Sequence, residues 1–349
     1  MSKYLIVGGA GFIGCNLASR LLRDGKEIIV IDNLSRVGSE QNLKWLQEQD
    51  DFCFLRCDIR NYSDVKEVFV NNRDIEVVFH LAAQVAVTTS ISDPRDDFET
   101  NLLGTFNLLE AVRESKSEPI LIYASTNKVY GKMDYVDIIE KDKRYEFKDL
   151  PHGIPESMPL DLYSPYGCSK GGADQYVRDY ARIYGVRSVV MRQSCIYGHR
   201  QFGVEDQGWV AWFTLATILD KPISIYGTGK QIRDLLFIDD LIDLYLLCPE
   251  KIAHIRGEIY NIGGGPQNTL SLLELIDSLE ELSGKKIRYS FQNCRTGDQP
   301  VFICDISKAK KDLGWQPKIA VVDGVRRLYE WVEGNKSLLT KLGVAQDVS

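Results

Sequence analysis

The sequence has no long apolar run and no recognisable export signal. Although 44% of its residues are hydrophobic, no apolar run approaches the roughly 20 residues that a membrane-spanning helix requires. The amino terminus passes directly into an apolar segment at residues 4–7, without the longer apolar region and cleavage site of a secretory signal. We therefore expect a cytoplasmic protein that does not interact with membranes.

Cysteines and clustered positive charges are also too sparse for several classes of protein. The eight cysteines are scattered over 349 residues, so reduced thiols fit better than the disulfide framework of a small secreted protein. Cys53 and Cys57, the closest pair, lack the second pair of cysteines or histidines that a zinc site needs, and we expect no bound metal. A net charge of −7 argues against a broad surface for nucleic acid.

The first half of the chain alternates short apolar segments with amphipathic ones, which is typical of a parallel sheet covered by helices on both faces. Strands are predicted at residues 4–7, 28–32, 52–57, 77–81, 120–124 and 187–192. Helices are predicted at residues 12–23, 63–70, 98–114 and 165–184. We therefore expect an α/β fold with a doubly wound parallel sheet of the Rossmann type.

Beyond about Gln193 the alternation becomes irregular, which indicates a smaller α/β lobe that binds the substrate. Helices are predicted there at residues 208–219, 270–282 and 322–332. We expect residues 1–192, with a returning segment at about 233–262, to form the dinucleotide-binding domain, and residues 193–232 and 263–335 to form the substrate lobe. The polar segment 132–159 is expected to extend over the mouth of the site.

A glycine-rich turn follows the first predicted strand and opens the first helix. Gly8, Gly11 and Gly14 permit a tight turn and let the backbone approach a pyrophosphate, which the amino end of the helix attracts. The second strand ends at Asp32, eighteen residues after Gly14, where a carboxylate accepts hydrogen bonds from an adenosine ribose and repels a 2′-phosphate. The pattern predicts NAD rather than NADP, and Arg36 is the residue that most weakens this choice.

The predicted cofactor site extends to the neighbouring strand ends. Asp58, which follows the third predicted strand, is placed beside the adenine, although a role as a helix or turn cap would explain it as well. A glycine turn without a ligand is the alternative for the motif as a whole. The residues assigned to the cofactor are Gly8, Gly11, Phe12, Ile13, Gly14, Asp32, Asn33, Asp58, Ile59, Ala82, Tyr166 and Lys170.

Three residues are predicted to be catalytic. Tyr166 and Lys170 are four residues apart in a predicted helix, so their side chains share one face. The ammonium is expected to bring the pKa of the phenol down from about 10 towards neutrality. Thr126 ends the fifth predicted strand, at the edge where open parallel sheets bind ligands. Its hydroxyl is expected to bond the same substrate oxygen as Tyr166, unless it merely caps the strand.

Together these motifs resemble the extended short-chain dehydrogenase/reductase family of nucleotide-sugar epimerases, dehydratases and decarboxylases. The resemblance covers residues 3–331 and implies NAD, a nucleotide-sugar substrate and a homodimer or homotetramer, with the predicted helices 98–114 and 165–184 as packing surfaces. It also implies that Arg233 and Arg295 bind the nucleotide diphosphate, although surface ion pairs are the alternative. The predicted substrate-binding residues are Thr126, Asn127, Cys195, Gln207, Arg233, Arg295 and Asp298.

Within this family, the segments around Thr126, Tyr166 and Gln207 resemble epimerases that invert C2 of CDP-linked 3,6-dideoxyhexoses. The related dehydratases carry Asp-Glu after the strand-end threonine, because elimination of water needs an acid and a base. Asn127 and Lys128 stand there instead, which disfavours dehydration. The resemblance thus implies NAD-dependent epimerisation through a 2-keto sugar. The alternatives are a UDP-hexose 4-epimerase and a non-catalytic NAD-sensing regulator. Against the first, segment 191–195 lacks the Tyr-Phe-Asn often found in those enzymes.

Overall fold

The computed structural model describes residues 3–295 and 297–342. The strands of these residues are β1 (Lys3–Val7), β2 (Glu27–Asp32), β3 (Cys53–Arg56), β4 (Ile75–His80), β5 (Ile120–Thr126), β6 (Ile138–Glu140), β7 (Tyr145–Phe147), β8 (Arg187–Gln193), β9 (Cys195–Tyr197), β10 (Ile223–Tyr226), β11 (Ile232–Phe237), β12 (Ile259–Ile262), β13 (Thr269–Ser271), β14 (Tyr289–Gln292) and β15 (Val301–Phe302). The α-helices are α1 (Phe12–Arg23), α2 (Ser39–Gln47), α3 (Tyr62–Asn71), α4 (Val87–Ser92), α5 (Pro94–Phe98), α6 (Gly104–Glu114), α7 (Pro165–Ile183), α8 (Trp209–Ile218), α9 (Ile238–Ile255), α10 (Leu272–Ser283), α11 (Ser307–Leu313), α12 (Val321–Gly334) and α13 (Lys336–Lys341). A π-helical turn lies at Glu99–Leu103 and a 3-10 turn at Asn127–Tyr130.

Seven strands form one parallel sheet in the order β3-β2-β1-β4-β5-β8-β12. The strand order changes direction between β1 and β4, and ligands bind outside the carboxyl ends of the strands at such a point. The predicted fold class is confirmed. The sequence did not predict β12 as a strand, although it lies in the segment expected to return to this domain.

Both faces of the central sheet are buried, and alternate residues of its strands belong to different layers of the core. In β1, Ile6 belongs to the cluster that contains Leu17 and Leu21 of α1, whereas Leu5 and Val7 belong to the cluster beneath α3, α6 and α7. Helix α9 packs beside α1 on the first face. Because their residues are apolar on both faces, the inner strands are visible in the sequence as short continuous apolar runs.

The smaller lobe contains a second sheet and a separate pair of strands. Strand β11 pairs in parallel with β9 and β15 and antiparallel with β13, while β10 pairs in parallel with β14. Helix α8 is apolar around nearly its whole circumference, and it packs between α10 and α12. We keep the predicted domain bounds as a proposal.

The polar segment 132–159 does not take the position expected for it. Its strands β6 and β7 form a hairpin, in which Arg144 donates a hydrogen bond of 2.6 Å to Thr269 and pairs with Glu274 at 3.3 Å. Both partners belong to the smaller lobe, and no residue of the segment lines the cavity of the site. The hairpin therefore braces the smaller lobe through charged contacts instead of covering the mouth of the cavity.

Three further observations concern the described residues. None of the helices in residues 3–295 and 297–342 has the length and apolar character needed to cross a membrane. The eight cysteines, all within those ranges, carry free thiols. Across the same ranges, no group of three or more His, Cys, Asp and Glu side chains is placed to hold a metal ion.

Candidate active site

The turn between β1 and α1 is closed too tightly to accommodate side chains. Gly8 has a φ of 82°, and a Cβ there would lie 2.6 Å from the backbone nitrogen of Ala82. A Cβ on Gly14 would lie 2.3 Å from the carbonyl oxygen of Gly8. Gly11 precedes α1, and within the described residues no side chain caps the first N–H groups of that helix. The turn therefore presents backbone N–H groups and the positive helix end, which fits the pyrophosphate of a dinucleotide.

Asp32 ends β2 beside this turn. Its carboxylate accepts hydrogen bonds from the backbone N–H groups of Ala10 at 3.1 Å and Leu34 at 2.8 Å, and these bonds fix its orientation. Burial raises the pKa of Asp32, while the two N–H groups oppose the rise. The carboxylate thus lies at the carboxyl edge of the sheet, and its contact with a ribose diol stays a prediction.

Asp58 is bonded mainly to its own neighbours. It accepts a hydrogen bond of 3.0 Å from the amide of Asn33 and pairs with the Arg60 guanidinium at 2.7 Å, which lowers the pKa of Asp58 to about 2. It also accepts the backbone N–H of Arg60 at 3.0 Å, which is the turn-capping contact. Ile59 packs closely on Gly104. Roles of Asn33, Asp58 and Ile59 towards the adenine stay predictions.

Thr126 and Tyr166 meet at the carboxyl end of β5. Helix α7 carries Tyr166 and Lys170 on its buried face, as the four-residue spacing predicted. Thr126 and Tyr166 line the same cavity, and the Thr126 hydroxyl is close enough to lower the pKa of the Tyr166 phenol. The Thr126 hydroxyl also accepts the backbone N–H of Lys128 at 3.2 Å, which is the capping role considered as its alternative. The capping contact is therefore present, and the bond from Thr126 to a substrate oxygen stays a prediction.

The side chain of Lys170 extends from α7 to β5. Its ammonium donates a hydrogen bond of 2.6 Å to the carbonyl oxygen of Ala124 and lies 4.3 Å from the centroid of the Tyr123 ring. Burial lowers the pKa of Lys170 to about 7, although the carboxylates of Asp174 and Asp97 oppose this. The ammonium is thus anchored to the strand by the protein itself.

The pKa of Tyr166 differs from the expectation. Burial raises it to about 12, and the hydrogen bond with Thr126 lowers it only in part. In the protein without ligands, the Lys170 ammonium therefore does not bring this pKa towards neutrality, and the added effect expected from the nicotinamide charge stays a prediction. The physical reason is that the phenol is desolvated, while the ammonium is directed at the Ala124 carbonyl.

Two buried carboxylates support the catalytic helix from behind, and neither was predicted from the sequence. Asp97 accepts hydrogen bonds from Ser169 at 2.5 Å and from the Asn101 amide at 3.0 Å. Asp174, one turn after Lys170, pairs with Arg192 at 2.9 Å. An acidic residue inside an amphipathic helix is usually exposed, so the sequence offered no signal that these two are buried.

A cavity of about 390 Å³ lies beside Tyr166 and extends into the smaller lobe. The predicted site residues that line it are Phe12, Ile13, Thr126, Asn127, Tyr166, Cys195, Gln207, Arg233, Arg295 and Asp298. The predicted residues that do not line it are Gly8, Gly11, Gly14, Asp32, Asn33, Asp58, Ile59, Ala82 and Lys170. Trp212, Phe213 and Tyr226 also line the cavity. Sequence reasoning missed these three because aromatic residues in apolar segments resemble ordinary core.

Each of the two arginines at the cavity is paired with a carboxylate. Arg233 bonds Asp298 at 2.6 Å, and Arg295 pairs with Asp206 at 2.7 Å while its guanidinium lies 3.9 Å from the centroid of the Tyr226 ring. Ion pairs, the alternative to diphosphate binding, are therefore present. They lie in the wall of the cavity and not on the outer surface. Two guanidinium groups so placed can bind phosphate oxygens.

The remaining predicted substrate residues contribute polar and neutral groups. The Asn127 amide donates to Gln299 at 3.3 Å. Burial raises the pKa of the Cys195 thiol to about 12, so it is neutral at pH 7. Gln207 accepts a hydrogen bond from the guanidinium of Arg36, which links the loop after β2 to the smaller lobe.

Comparisons with known proteins agree with this geometry. The family model described as GDP-mannose 4,6 dehydratase matches residues 5–328. The CDP-paratose 2-epimerase of Salmonella typhi is 48% identical over 334 residues, which cover 94% of this chain and 98% of the relative.

Two solved structures have nearly the same fold. The UDP-glucuronic acid 4-epimerase of Bacillus cereus, in complex with UDP-glucuronic acid and NAD, has a TM-score of 0.81 at 31% identity and covers 95% of this chain and 99% of its own. The UDP-glucose 4-epimerase of Thermotoga maritima, with UDP-glucose, has a TM-score of 0.80 at 32% identity, covering 96% and 99%. The family prediction is confirmed: the chain belongs to the GDP-mannose 4,6 dehydratase family of extended short-chain dehydrogenase/reductases.

Proposed function

We propose that this protein is an NAD-dependent isomerase that inverts C2 of a CDP-linked 3,6-dideoxyhexose and interconverts CDP-paratose and CDP-tyvelose. The observation that carries the proposal is the 48% identity to CDP-paratose 2-epimerase over nearly the whole of both chains. Identity to the other named enzymes falls to 31–32%. The choice of NAD agrees with the NAD complex of the Bacillus cereus relative and with the glycine turn and Asp32.

The proposed chemistry uses three residues of this chain. Tyr166, as phenolate, removes the proton from the C2 hydroxyl, while Thr126 hydrogen-bonds the same oxygen and orients it. NAD, when bound in the site, would supply both the acceptor and the later donor of the C2 hydride. Lys170 is held by the Ala124 carbonyl at 2.6 Å, a position from which it can also bind a ribose hydroxyl. Tyr166 then returns the proton, so no net oxidation occurs.

Phenolate formation requires a contribution from the ligands. With a pKa raised to about 12, the Tyr166 phenol of the protein alone is protonated at neutral pH. The positive nicotinamide ring would favour the phenolate by direct charge attraction. The Tyr166 base is therefore expected to form only in the loaded site.

Inversion further requires that the keto sugar present its opposite face before it is reduced. The cavity of about 390 Å³ extends from Tyr166 to the two arginines. A nucleotide held by Arg233 and Arg295 would stay bound while the sugar rotates at the other end. This arrangement explains how one base and one face of the cofactor can act on both C2 epimers of the sugar.

Dehydration is disfavoured by the charges in the cavity. Asn127 and Lys128 follow Thr126, and the carboxylates that line the cavity are Glu205, Asp206 and Asp298 in the described residues. Asp206 and Asp298 are paired with arginines. Glu205 and Asp206 precede Gln207, Asp298 is bonded to Arg233, and no carboxylic acid directly follows Thr126.

Product analysis tests the proposal. The purified enzyme is incubated with CDP-paratose, UDP-glucose and UDP-glucuronic acid, and products are identified by NMR. Inversion at C2 of the CDP sugar is the expected result. Inversion of a UDP-hexose at C4 would establish the main alternative, and NAD binding without turnover on any sugar would establish an NAD-sensing regulator instead.

We further propose a homodimer that packs through α6 and α7, with a homotetramer as the larger possibility. These helices expose large apolar side chains, including Phe106, Tyr176 and Ile183 at 37%, 46% and 66% exposure, and the Phe106 and Tyr176 ring centroids lie 5.8 Å apart. Burying such a patch on both copies favours association. Tyr176→Glu should shift the mass measured by light scattering towards a monomer. The cytoplasmic location remains a prediction from the sequence.

A further inference from the structure

Lys128 lies in the cavity wall between the reacting end and the arginines. Its backbone N–H donates to the Thr126 hydroxyl at 3.2 Å. Its ammonium lies 3.4 Å from the carbonyl oxygen of Gly297, the residue before Asp298. The side chain thus spans from the end of β5 to the segment that carries the predicted nucleotide-binding residues.

Lys128 differs from the neighbouring cations because it has no carboxylate partner. Arg233 is paired with Asp298 and Arg295 with Asp206, whereas no ion pair within residues 3–295 and 297–342 includes Lys128. Burial and the nearby Arg233 charge lower the pKa of Lys128 to about 8, although the Asp298 carboxylate, which is bonded to Arg233, opposes this, so the ammonium remains largely charged at pH 7. Lys128 is half-buried in the cavity wall, and a desolvated charge is costly unless an anion pairs with it.

We propose that Lys128 binds the β-phosphate of the nucleotide sugar, the phosphate that carries the sugar, and thereby places C2 at Tyr166. This inference rests on the proposed function. Only C1 and the glycosidic oxygen separate C2 from that phosphate, whereas C4 lies across the hexose ring. An enzyme that reacts at C2 must therefore hold the β-phosphate closer to its threonine and tyrosine than a 4-epimerase does. Lys128 follows Thr126 by two residues and so provides a cation for a β-phosphate held close to the threonine and tyrosine.

The same charge assists the reaction. When Tyr166 removes the C2 hydroxyl proton, negative charge develops on an oxygen close to the β-phosphate. Two like charges at this distance raise the energy of the transition state, and an ammonium between them lowers it. Lys128 is thus a specificity-determining residue that is expected to affect kcat as well as binding.

The test compares nucleotides that differ only in the β-phosphate. CDP and CMP are titrated calorimetrically into the full-length protein saturated with NAD, as unaltered enzyme and as Lys128→Met and Lys128→Arg. Lys128→Met should weaken CDP binding at least about tenfold, the low end for a charge-assisted hydrogen bond, and leave CMP binding within about twofold. Lys128→Arg should retain most of the CDP affinity. Lys116→Met, an exposed lysine before the amino end of β5, makes the same charge change and should alter neither affinity.

The outcomes separate this inference from the proposed function. Unchanged CDP binding in Lys128→Met, or an equal loss for CDP and CMP, would overturn the role at the β-phosphate, provided that the melting temperature shows a folded variant. If the unaltered enzyme binds UDP and not CDP, the proposed nucleotide is wrong, and the same comparison with UDP and UMP still decides the role of Lys128. A kcat on CDP-paratose that stays unchanged in Lys128→Met would remove the proposed effect on the reaction.

Discussion

Arg233 and Asp298 form an ion pair of 2.6 Å in the wall of the cavity. Arg233 is anchored as well by bonds of 2.7 Å and 2.8 Å to the carbonyl oxygens of Gln299 and Ile232. The guanidinium is therefore fixed in direction before a ligand arrives, and its charge is partly compensated by the carboxylate. An incoming diphosphate has to compete with Asp298 for this arginine.

The first prediction concerns this competition. Arg233→Ala should weaken CDP binding by about 1.5–3 kcal/mol, because a charge-assisted hydrogen bond is lost and the Asp298 carboxylate is left to repel the phosphates. The double variant Arg233→Ala/Asp298→Ala should recover part of the loss, since the repulsion disappears. Calorimetric titration with CDP measures both effects. If the single variant keeps its affinity, Arg233 does not belong to the nucleotide site.

Arg295 and Asp206 offer a parallel comparison at the second ion pair of 2.7 Å. Arg295→Ala is expected to weaken CDP binding as Arg233→Ala does. A further loss of affinity is expected because the guanidinium no longer packs on Tyr226. Unchanged Michaelis constants for the nucleotide sugar in Arg295→Ala would assign this pair to structure.

The second prediction concerns the base. Tyr166→Phe should lower kcat by more than about a hundredfold, in the range of general acid-base catalysis, while NAD and CDP binding remain. The reason is that the buried ring is kept and only the ionisable oxygen is removed. Stopped-flow kinetics measures kcat, and calorimetry measures the binding of NAD and CDP. A variant that unfolds or loses NAD would show instead that Tyr166 is structural.

The third prediction follows from the lowered pKa of Lys170. The pKa is about 7 in the folded protein against a reference value of 10.5. Between these two pH values, the unfolded chain therefore binds more protons than the folded protein. Stability should therefore rise with pH across this window, and the penalty for burying the ammonium is complete below about pH 7. Lys170→Met, stripped of NAD, should melt about 2–4 °C higher at pH 6, with a smaller gain at pH 9.5. A gain that does not depend on pH would refute the charge penalty.

The fourth prediction concerns the cofactor. Protein as purified should release NAD on denaturation, because the Asp32 carboxylate would bind the ribose diol and repel a 2′-phosphate. Asp32→Ser should lose much of the preference for NAD over NADP, measured as the ratio of the two dissociation constants. Arg36→Ala tests the residue that most weakens the choice of NAD. Because Arg36 is directed to Gln207, its loss should leave the ratio nearly unchanged. Recovery of mostly NADP from the unaltered protein would contradict the role of Asp32.

The sequence was sufficient where local chemistry determines the structure. Helix α1 begins and ends where predicted, because the glycine turn precedes it and Asp24 and Gly25 follow it with a change of backbone direction. The positions of Thr126 and Tyr166 were likewise predictable, since a strand end and a helix face are local properties. Their surroundings were not, because the Arg233–Asp298 pair joins residues 65 positions apart. The π-helical turn at Glu99–Leu103 interrupts a continuous amphipathic pattern that gave no sign of it.

The last prediction tests the route of inversion. In the proposed mechanism the hydrogen removed from C2 remains within the enzyme and returns to the same carbon, and only the hydroxyl proton reaches solvent through Tyr166. Turnover in deuterium oxide should therefore leave the carbon-bound hydrogen at C2 unlabelled. A substrate deuterated at C2 should keep its label in the product and show a primary isotope effect if this transfer limits the rate.

Other routes give a different labelling pattern. Elimination of the nucleotide, or removal of a carbon-bound proton by a base, would bring solvent deuterium to C2. Stoichiometric solvent label at that carbon would therefore rule out the keto intermediate and with it the roles assigned to Thr126 and Tyr166. Retention of a label at C4, together with inversion there, would preserve the chemistry but assign the enzyme to the 4-epimerases. The labelling experiment thus distinguishes an error in the mechanism from an error in the substrate, because the first changes which hydrogen is exchanged and the second changes which carbon is inverted.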